Sequence, residues 1–260
     1  MNQVDRKLTF NQDVKNYDKF RPSYPKELFK EIIDYSGLDC NKHSLEIGIG
    51  TGQATRPILE TGCAVRAIEF GDKLADYSKE KFSSYNNFKI KNISFEDFEC
   101  DSNSIDLVYS ATAFHWLPEE IAYPKVLDLL KRGGTMTLFW NRPFVGRDND
   151  PLHQEIQAIY DKYRPSTKVL IEHDQERYNK RIDTIKKYGF VDLEFKLFHQ
   201  TRSFNAEDYV CLLNTYSDHR ILLPNIKAEF EAEIKSAINR HGGILKVYDT
   251  VDLYLARKPS

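Results

Sequence analysis

The chain has 260 residues, 41% of them hydrophobic and 29% charged, enough to build a packed core and too apolar for a disordered chain. Lys and Arg number 37 against 39 Asp and Glu, a formal charge of −2, which argues against a strongly basic polyanion binder. No apolar run approaches the roughly 18 residues of a membrane span. Residues 1–10 hold no hydrophobic stretch of the kind that opens a secretory signal.

In chain order, short apolar runs alternate with amphipathic stretches. Ser44–Gly48 reads as a buried strand, Gln53–Thr61 as a helix stopped at Gly62, and Cys63–Glu69 as a second strand. Pro57, early in that first helix, is expected to remove an interior hydrogen bond and kink it. Leu74–Phe82 reads as a helix, Phe88–Ile93 and Ile105–Tyr109 as strands, and Ile121–Leu130 as a helix ending at Gly133-Gly134. Thr135–Trp140 is then a fifth strand. This β-α-β-α order predicts a parallel sheet covered by helices on both faces, with ligands held beyond the carboxyl ends of the strands.

After Trp140 the alternation stops. Residues 141–178 are polar and carry Pro143, Pro151 and Pro165, as expected for an insertion. Arg181–Tyr188 reads as a helix ended by Gly189. Phe190–Phe198 alternates strictly, the pattern of a half-exposed antiparallel strand. Asn205–Ala237 is helical with a break near Pro224, and Val247–Ala256 reads as a closing strand. The four cysteines, Cys40, Cys63, Cys100 and Cys211, stand far apart without a CxxC pair. They suggest neither a zinc site nor a disulfide framework, and they suit a reducing, cytoplasmic setting.

The most informative segment is Glu46-Ile-Gly48-Ile-Gly50-Thr-Gly52-Gln53, placed between a strand and a helix. Glycines there let the main chain turn sharply and approach a ligand, and the following helix adds unpaired N–H groups. A dinucleotide fingerprint needs Gly-x-Gly-x-x-Gly, and Gln53 occupies the place of its third glycine. Glu46 at the strand end disfavours a pyrophosphate and suits a ligand carrying an ammonium group. Glu69 ends the second strand 21 residues after Gly48, where an acid can accept both hydrogen bonds of a ribose diol.

Glu46-x-Gly48-x-Gly50-Thr-Gly52 followed by Glu69 resembles the first two motifs of the class I S-adenosylmethionine-dependent methyltransferases. The segment Asn92-Ile-Ser-Phe-Glu-Asp-Phe98 resembles the loop around adenine. Ser104-Ile-Asp106-Leu-Val-Tyr-Ser110 resembles the fourth-strand motif, and Val126-Leu-Asp-Leu-Leu-Lys131-Arg-Gly-Gly134 the helix and turn before strand five. Ala113-Phe114-His115-Trp116-Leu117 resembles a small-molecule, trans-aconitate-methyltransferase-like branch. Tyr17 to Pro25 and Thr215 to Pro224 are similar to that branch as well.

The resemblance implies a Rossmann-like, doubly wound, seven-stranded and mostly parallel sheet with a late antiparallel strand and helical lid insertions. It implies one domain over 1–260, with N-terminal cap helices in 1–42, a cofactor-binding core in 43–141 and lid segments in 142–180 and 205–245. S-adenosyl-L-methionine is the implied cofactor, with Gly48, Gly50 and Gly52 behind its methionine and ribose, Glu46 at its amino group and Glu69 at its ribose. Phe70 is expected on the adenine, with Ser94, Phe95 and Glu96 at its edge. Ser110 to Trp116 is expected to face the methyl group, with His115 as a candidate general base. Tyr17, Arg21 and Tyr24 are expected to cap the cofactor and acceptor. Trp116, His219 and Arg220 are expected to line the acceptor, and Arg21, Arg142 or Arg220 to pair with an acceptor carboxylate. A small-molecule partner, without nucleic acid, membrane or metal, is the expectation. The alternatives are a nucleic-acid methyltransferase, a nicotinamide-dependent oxidoreductase and a non-catalytic cofactor-binding protein. The first is disfavoured because Ser110-Ala-Thr-Ala-Phe-His replaces the Asp/Asn-Pro-Pro-aromatic motif.

Overall fold

A computed structural model describes residues 11, 13–166 and 171–260. The N-terminal residues 1–10 lie outside this description. The described residues fall into two compact units, one drawn from Pro22–Asn141, Gln175–Phe198 and Val251–Ser260, the other from the described residues of 11–21, 142–174 and 199–250.

The first unit is built on the sheet. Its strands are β1 (His43–Ile47), β2 (Ala64–Glu69), β3 (Phe88–Asn92), β4 (Ile105–Ala111), β5 (Leu130–Phe144), β6 (Val191–Phe204) and β7 (Leu245–Arg257), the last three extending beyond this unit. They lie in the order β3-β2-β1-β4-β5-β7-β6. Five neighbours are parallel, from β3 through β5, and β7 runs antiparallel to β5 and β6. The strand order therefore reverses between β1 and β4, the place beyond the strand ends where open α/β sheets hold their ligands.

Apolar side chains cover both faces, which is why the central strands read as continuous apolar runs. On one face Leu45, Ile47, Val108, Met136, Leu138 and Trp140 pack with Ala122, Tyr123, Val126 and Leu129 of helix α5 (Glu119–Leu129). On the other, Val65, Ala67, Leu107, Tyr109 and Phe139 meet Leu28, Phe29 and Ile32 of α2 (Lys26–Ser36) and Ile58 and Leu59 of α3 (Thr55–Leu59). α3 starts at Thr55, later than the sequence pattern suggests. Pro57 thus falls in the first turn, where its missing N–H would have had no intrahelical partner, and the expected loss of an interior bond does not arise.

β5 is also longer than expected. It starts at Leu130, opposite Ile105, and its next aligned pair is Leu107 with Thr135, so β5 accommodates three more residues than β4 over this step. A side chain at Gly134 would meet the carbonyl oxygens of Lys131, Ile105 and Asp106 at 2.8–3.3 Å, which explains a glycine there. Asp106 closes this end of the sheet, accepting from the His43 amide at 2.9 Å and from Lys131 Nζ at 2.8 Å. Burial works to raise its pKa, but the Lys131 and His43 bonds hold it below the usual carboxylate value.

The second unit is mainly helical, with α1 (Val14–Phe20), α6 (Pro151–Tyr163), α8 (Ala206–Leu213), α9 (Ser217–Arg220) and α10 (Pro224–Arg240). The remaining helices, α4 (Asp72–Lys81) and α7 (Gln175–Lys187), belong to the sheet unit. Asp150 caps α6 through the Leu152 and His153 amides, with Pro151 at the first helical position. Pro224 likewise opens α10, so the expected break near it is present, and a further break separates α8 from α9. Leu152, Ile156, Tyr209, Leu213, Phe230 and Ile234 form this unit's core. Among the described residues no helix is long and apolar enough to cross a membrane.

Candidate functional site

The glycine turn lies above the carboxyl end of β1. Gly48, Gly50 and Gly52 have φ of +70°, +60° and +79°, a left-handed conformation that side chains oppose. The turn is tied down by Gly48 and Ile49 amides donating to the Ile68 carbonyl at 3.0 and 3.3 Å. Ser78 Oγ and Lys81 Nζ of α4 donate to the Gly50 and Thr51 carbonyls at 2.8 and 2.9 Å. A Cβ on Gly48 would stand 2.6 Å from the Ala113 Cβ, so any side chain there would collide with the loop after β4.

Glu69 joins this turn to the start of α4. Its Oε2 accepts from the Gly50 amide at 2.8 Å and its Oε1 from the Gly71 amide at 2.9 Å. Burial raises its pKa, and these amide bonds work against that rise. Asn92 Nδ2 donates to the Glu69 and Phe70 carbonyls at 2.9 and 3.0 Å, fixing the end of β2 from β3. Phe70 is 43% exposed, an aromatic face left uncovered beside the acid. Carboxylate, glycine cradle and open ring form a constellation suited to a nucleoside.

Glu46 sits beneath the turn and is 1% exposed. Its Oε2 accepts from Thr55 Oγ1 at 2.7 Å and Tyr109 Oη at 2.9 Å. Burial pushes its pKa up to about 8, the two hydroxyl bonds opposing and the nearby Glu69 adding to the rise. The protonated carboxyl is therefore the dominant form at neutral pH. A carboxyl protonated in the folded state and ionised in the unfolded one makes stability fall as pH rises from about 4.5 to about 8. Glu46→Gln keeps an acceptor for the two hydroxyls and removes the titration. Denaturant melts of this variant should lack a slope of about 1 kcal/mol per pH unit that the native chain shows in that window. Equal slopes in the two proteins would refute the assignment.

The adenine-loop candidates separate by role. Ser94 Oγ donates to Asp97 Oδ2 at 2.6 Å and accepts from the Asp97 amide, closing a turn. Phe95 is buried in the sheet core with Lys125 Nζ 5.2 Å from its ring, so this residue offers its main chain rather than its ring to a ligand. Glu96 is half-buried and its carbonyl accepts from Lys125.

The loop after β4 carries the reactive-side candidates. Ser110 is buried and its hydroxyl donates to the Ile47 carbonyl at 2.9 Å, joining β4 to β1. Thr112 holds φ +54°, strained for a β-branched residue, and its Oγ1 meets Tyr24 Oη at 2.9 Å and the Asn141 amide at 3.2 Å. His115 and Trp116 lie in a short 3₁₀ turn (Phe114–Trp116), with His115 exposed and their rings 5.1 Å apart. His115 Nδ1 accepts from the indole N–H of Trp140 at 3.0 Å.

Glu46, the three glycines, Glu69, Phe70, Ser94, Phe95, Glu96, Ser110, His115, Trp116 and Tyr24 thus all belong to the sheet unit. Tyr17, Arg21, Arg142, His219 and Arg220 belong to the helical unit and are described within it. The Arg21 guanidinium stacks over Tyr17 and Tyr216 at 4.9 and 4.4 Å and donates to the Thr215 carbonyl at 2.7 Å. Arg220 Nε donates to the Asn214 carbonyl at 2.6 Å. His219 is buried and engages Tyr160 Oη at 2.9 Å, Arg164 and Asp218. Arg142 is half-buried. Sequence reasoning gave no role of their own to Thr55, Tyr109, Asn92 and Thr112, although Asn92 opens the expected adenine loop and Thr112 lies in the segment expected to face the methyl group. Tyr109 and Thr112 meet Glu46 and Tyr24, 63 and 88 positions away, which no local pattern shows.

The family profile described as "Methyltransferase domain" matches residues 45–138. An uncharacterized methyltransferase of Bacillus thuringiensis is 33% identical over 193 residues, covering 71% of this chain and 76% of that protein. An uncharacterized methyltransferase of Schizosaccharomyces pombe is 27% identical over 232 residues, covering 88% and 87%. Among solved structures, a phosphoethanolamine N-methyltransferase of Haemonchus contortus in complex with S-adenosyl-L-methionine superposes with a TM-score of 0.56 at 14% identity, covering 96% of this chain and 57% of that one.

Proposed function

Because the chain belongs to the class I S-adenosylmethionine-dependent methyltransferases, we propose that it methylates a small-molecule acceptor, with a carboxylate as the favoured class. The observation that carries the reading is Glu69, whose two carboxylate oxygens each accept a main-chain N–H beside a left-handed glycine cradle and an open Phe70 face.

These residues fit S-adenosyl-L-methionine, because the three glycines of the cradle carry no side chains and the acid stands at the strand end where a ribose diol would donate to its remaining lone pairs. When bound, the cofactor supplies a methyl group activated on a sulfonium. Gly48, Gly50 and Gly52 would lie along its methionine and ribose, Glu69 would hold the ribose hydroxyls, and Phe70 would stack on adenine. Ser94 and the main chain of Phe95 and Glu96 would meet the base edge. Glu46 would orient the amino group through the turn it braces. Ser110 sets the end of β4, and the loop from Thr112 to Trp116 presents its side chains on the acceptor side, His115 foremost. Tyr24, through its hydroxyl on Thr112, keeps that loop in its strained form.

The net charge of −2 supports a small acceptor over a polyanion. A carboxylate is ionised at neutral pH and needs no proton removed, in keeping with a site without a catalytic triad. Tyr17, Arg21, Arg142, His219 and Arg220 are the proposed acceptor and cap residues of the helical unit.

Turnover of labelled S-adenosyl-L-methionine against a panel of carboxylates, amines and phenols tests the reading. Transfer is expected to a carboxylate, with KM raised about tenfold or more by Ala at one of Arg21, Arg142 and Arg220. Unchanged KM in all three variants would remove the carboxylate assignment. Cofactor binding without transfer to any of the panel would favour a non-catalytic binding role.

A further inference from the structure

We propose that Trp140 is a positioning residue that holds His115 as its Nε2–H tautomer, so that this imidazole meets the acceptor as a hydrogen-bond donor and not as a general base. The inference deepens the methyl-transfer reading above and rests on it for the identity of the acceptor side, but the tautomer itself stands on geometry alone.

An indole N–H can only donate. At 3.0 Å from Trp140 Nε1, His115 Nδ1 must therefore accept. A neutral imidazole has one protonated nitrogen and one lone-pair nitrogen, so accepting at Nδ1 places the proton on Nε2. Each route to a general base breaks this bond. A base at Nε2 needs the proton on Nδ1, pointing at the indole N–H. A base at Nδ1 needs the lone pair that Trp140 already occupies. The imidazolium would likewise set two donors against each other.

Trp140 is itself held from behind. It is buried near the end of β5, and the guanidinium of Arg181 on α7 lies 3.4 Å from the centre of its ring. A cation on the face of the indole draws electron density from the ring and makes its N–H a stronger donor. Arg181 is anchored through Nη1 to Asp252 Oδ2 at 2.9 Å, and Tyr254 Oη donates to the same oxygen at 3.0 Å. Asp252 is fully buried, so this pair cannot shift without stranding a charge. The Trp140 and Tyr254 rings meet edge to face at 5.9 Å. The assembly Asp252–Arg181–Trp140–His115 is thus a rigid stack that ends on an exposed imidazole. It resembles the outer support of metal-bound and catalytic histidines, in which a second group decides which ring nitrogen carries the proton.

The test is long-range 1H–15N correlation of the ring nitrogens in the full chain labelled with 15N, with and without S-adenosylhomocysteine, the His115 signals being assigned by their loss in His115→Gln. The expected result at neutral pH is a protonated Nε2 and an unprotonated Nδ1 in both states. Trp140→Phe should convert this single pattern into a mixture of the two tautomers. A native His115 protonated at Nδ1, or one already exchanging between tautomers, overturns the proposal without any variant having to fold. An unchanged tautomer in a folded Trp140→Phe chain overturns the role of Trp140. Loss of cofactor binding in calorimetry would undo the functional reading and leave the tautomer result standing, so the two failures are distinguishable.

Discussion

Glu69→Ala is expected to raise the Kd for S-adenosylhomocysteine about 100-fold or more, read by titration calorimetry on the full chain. The physical basis is the charge of the acceptor. A hydrogen bond to an ionised carboxylate contributes about 1.5–3 kcal/mol, and each 1.4 kcal/mol is tenfold in affinity, so losing two ribose bonds gives roughly 10²–10⁴. The variant also leaves the Gly50 and Gly71 amides without their present acceptor, loosening the turn that the ligand must find already formed. Glu69→Gln is expected to fall between the two, because an amide has one oxygen for the two main-chain donors. Affinity for Glu69→Ala within about threefold of the native protein would refute the nucleoside assignment at this end of β2. The same measurement on Phe70→Ala separates stacking from hydrogen bonding, with a smaller loss of roughly tenfold expected.

Gly52→Ala should destabilise the chain by about 2–5 kcal/mol. Its φ of +79° costs a side chain about 1–2 kcal/mol. The added Cβ would also stand 2.2 and 2.6 Å from two ring carbons of buried Phe82, and overpacking of this kind costs about 1–3 kcal/mol. Gly133→Ala is the matched control, since Gly133 has φ +71° but nothing within 4 Å of the added atom. That variant should show the strain alone, about 1–2 kcal/mol. Thermal unfolding resolves the difference, at roughly 2–4 °C per kcal/mol for a chain of this size. Equal losses in the two variants would mean that Phe82 yields at no cost and that the turn is not packed as described.

The sheet half of the fold was legible in the sequence because each of its signals is local. Short runs rich in apolar residues predict the buried strands, and the observed β1, β2 and β4 fall on the expected segments, as does the more exposed edge strand β3. The alternation of Phe190–Phe198 predicts an antiparallel strand, and β6 covers it. What escaped were features decided by packing across the chain. Helix α3 is shorter than its pattern because the glycine turn occupies residues up to Ala54. β5 begins early because Lys131–Gly134 is shaped by main-chain atoms of β4.

The candidate site divides in the same way. Glycines and acids announce themselves by spacing, as with Gly48 and Glu69. Glu46 was recognised as an acid at a strand end, yet burial beside Tyr109, 63 positions along the chain, raises its pKa to about 8 and leaves it largely uncharged at neutral pH. Nothing local in Trp140 reveals that its indole meets His115, and nothing in Arg181 reveals the ring it covers. Such partners are chosen by fold and carry no motif.

The extra length in β5 leaves the two ends of the strand in step. Side chains alternate in direction along a strand, so residues an even number apart face the same layer. Leu130 lies before the surplus residues and Met136, Leu138 and Trp140 after them, yet all four pack in one layer while Phe139 takes the other. The irregularity at Gly134 is thus absorbed where it arises, and the indole is delivered to the side of the sheet on which the imidazole waits.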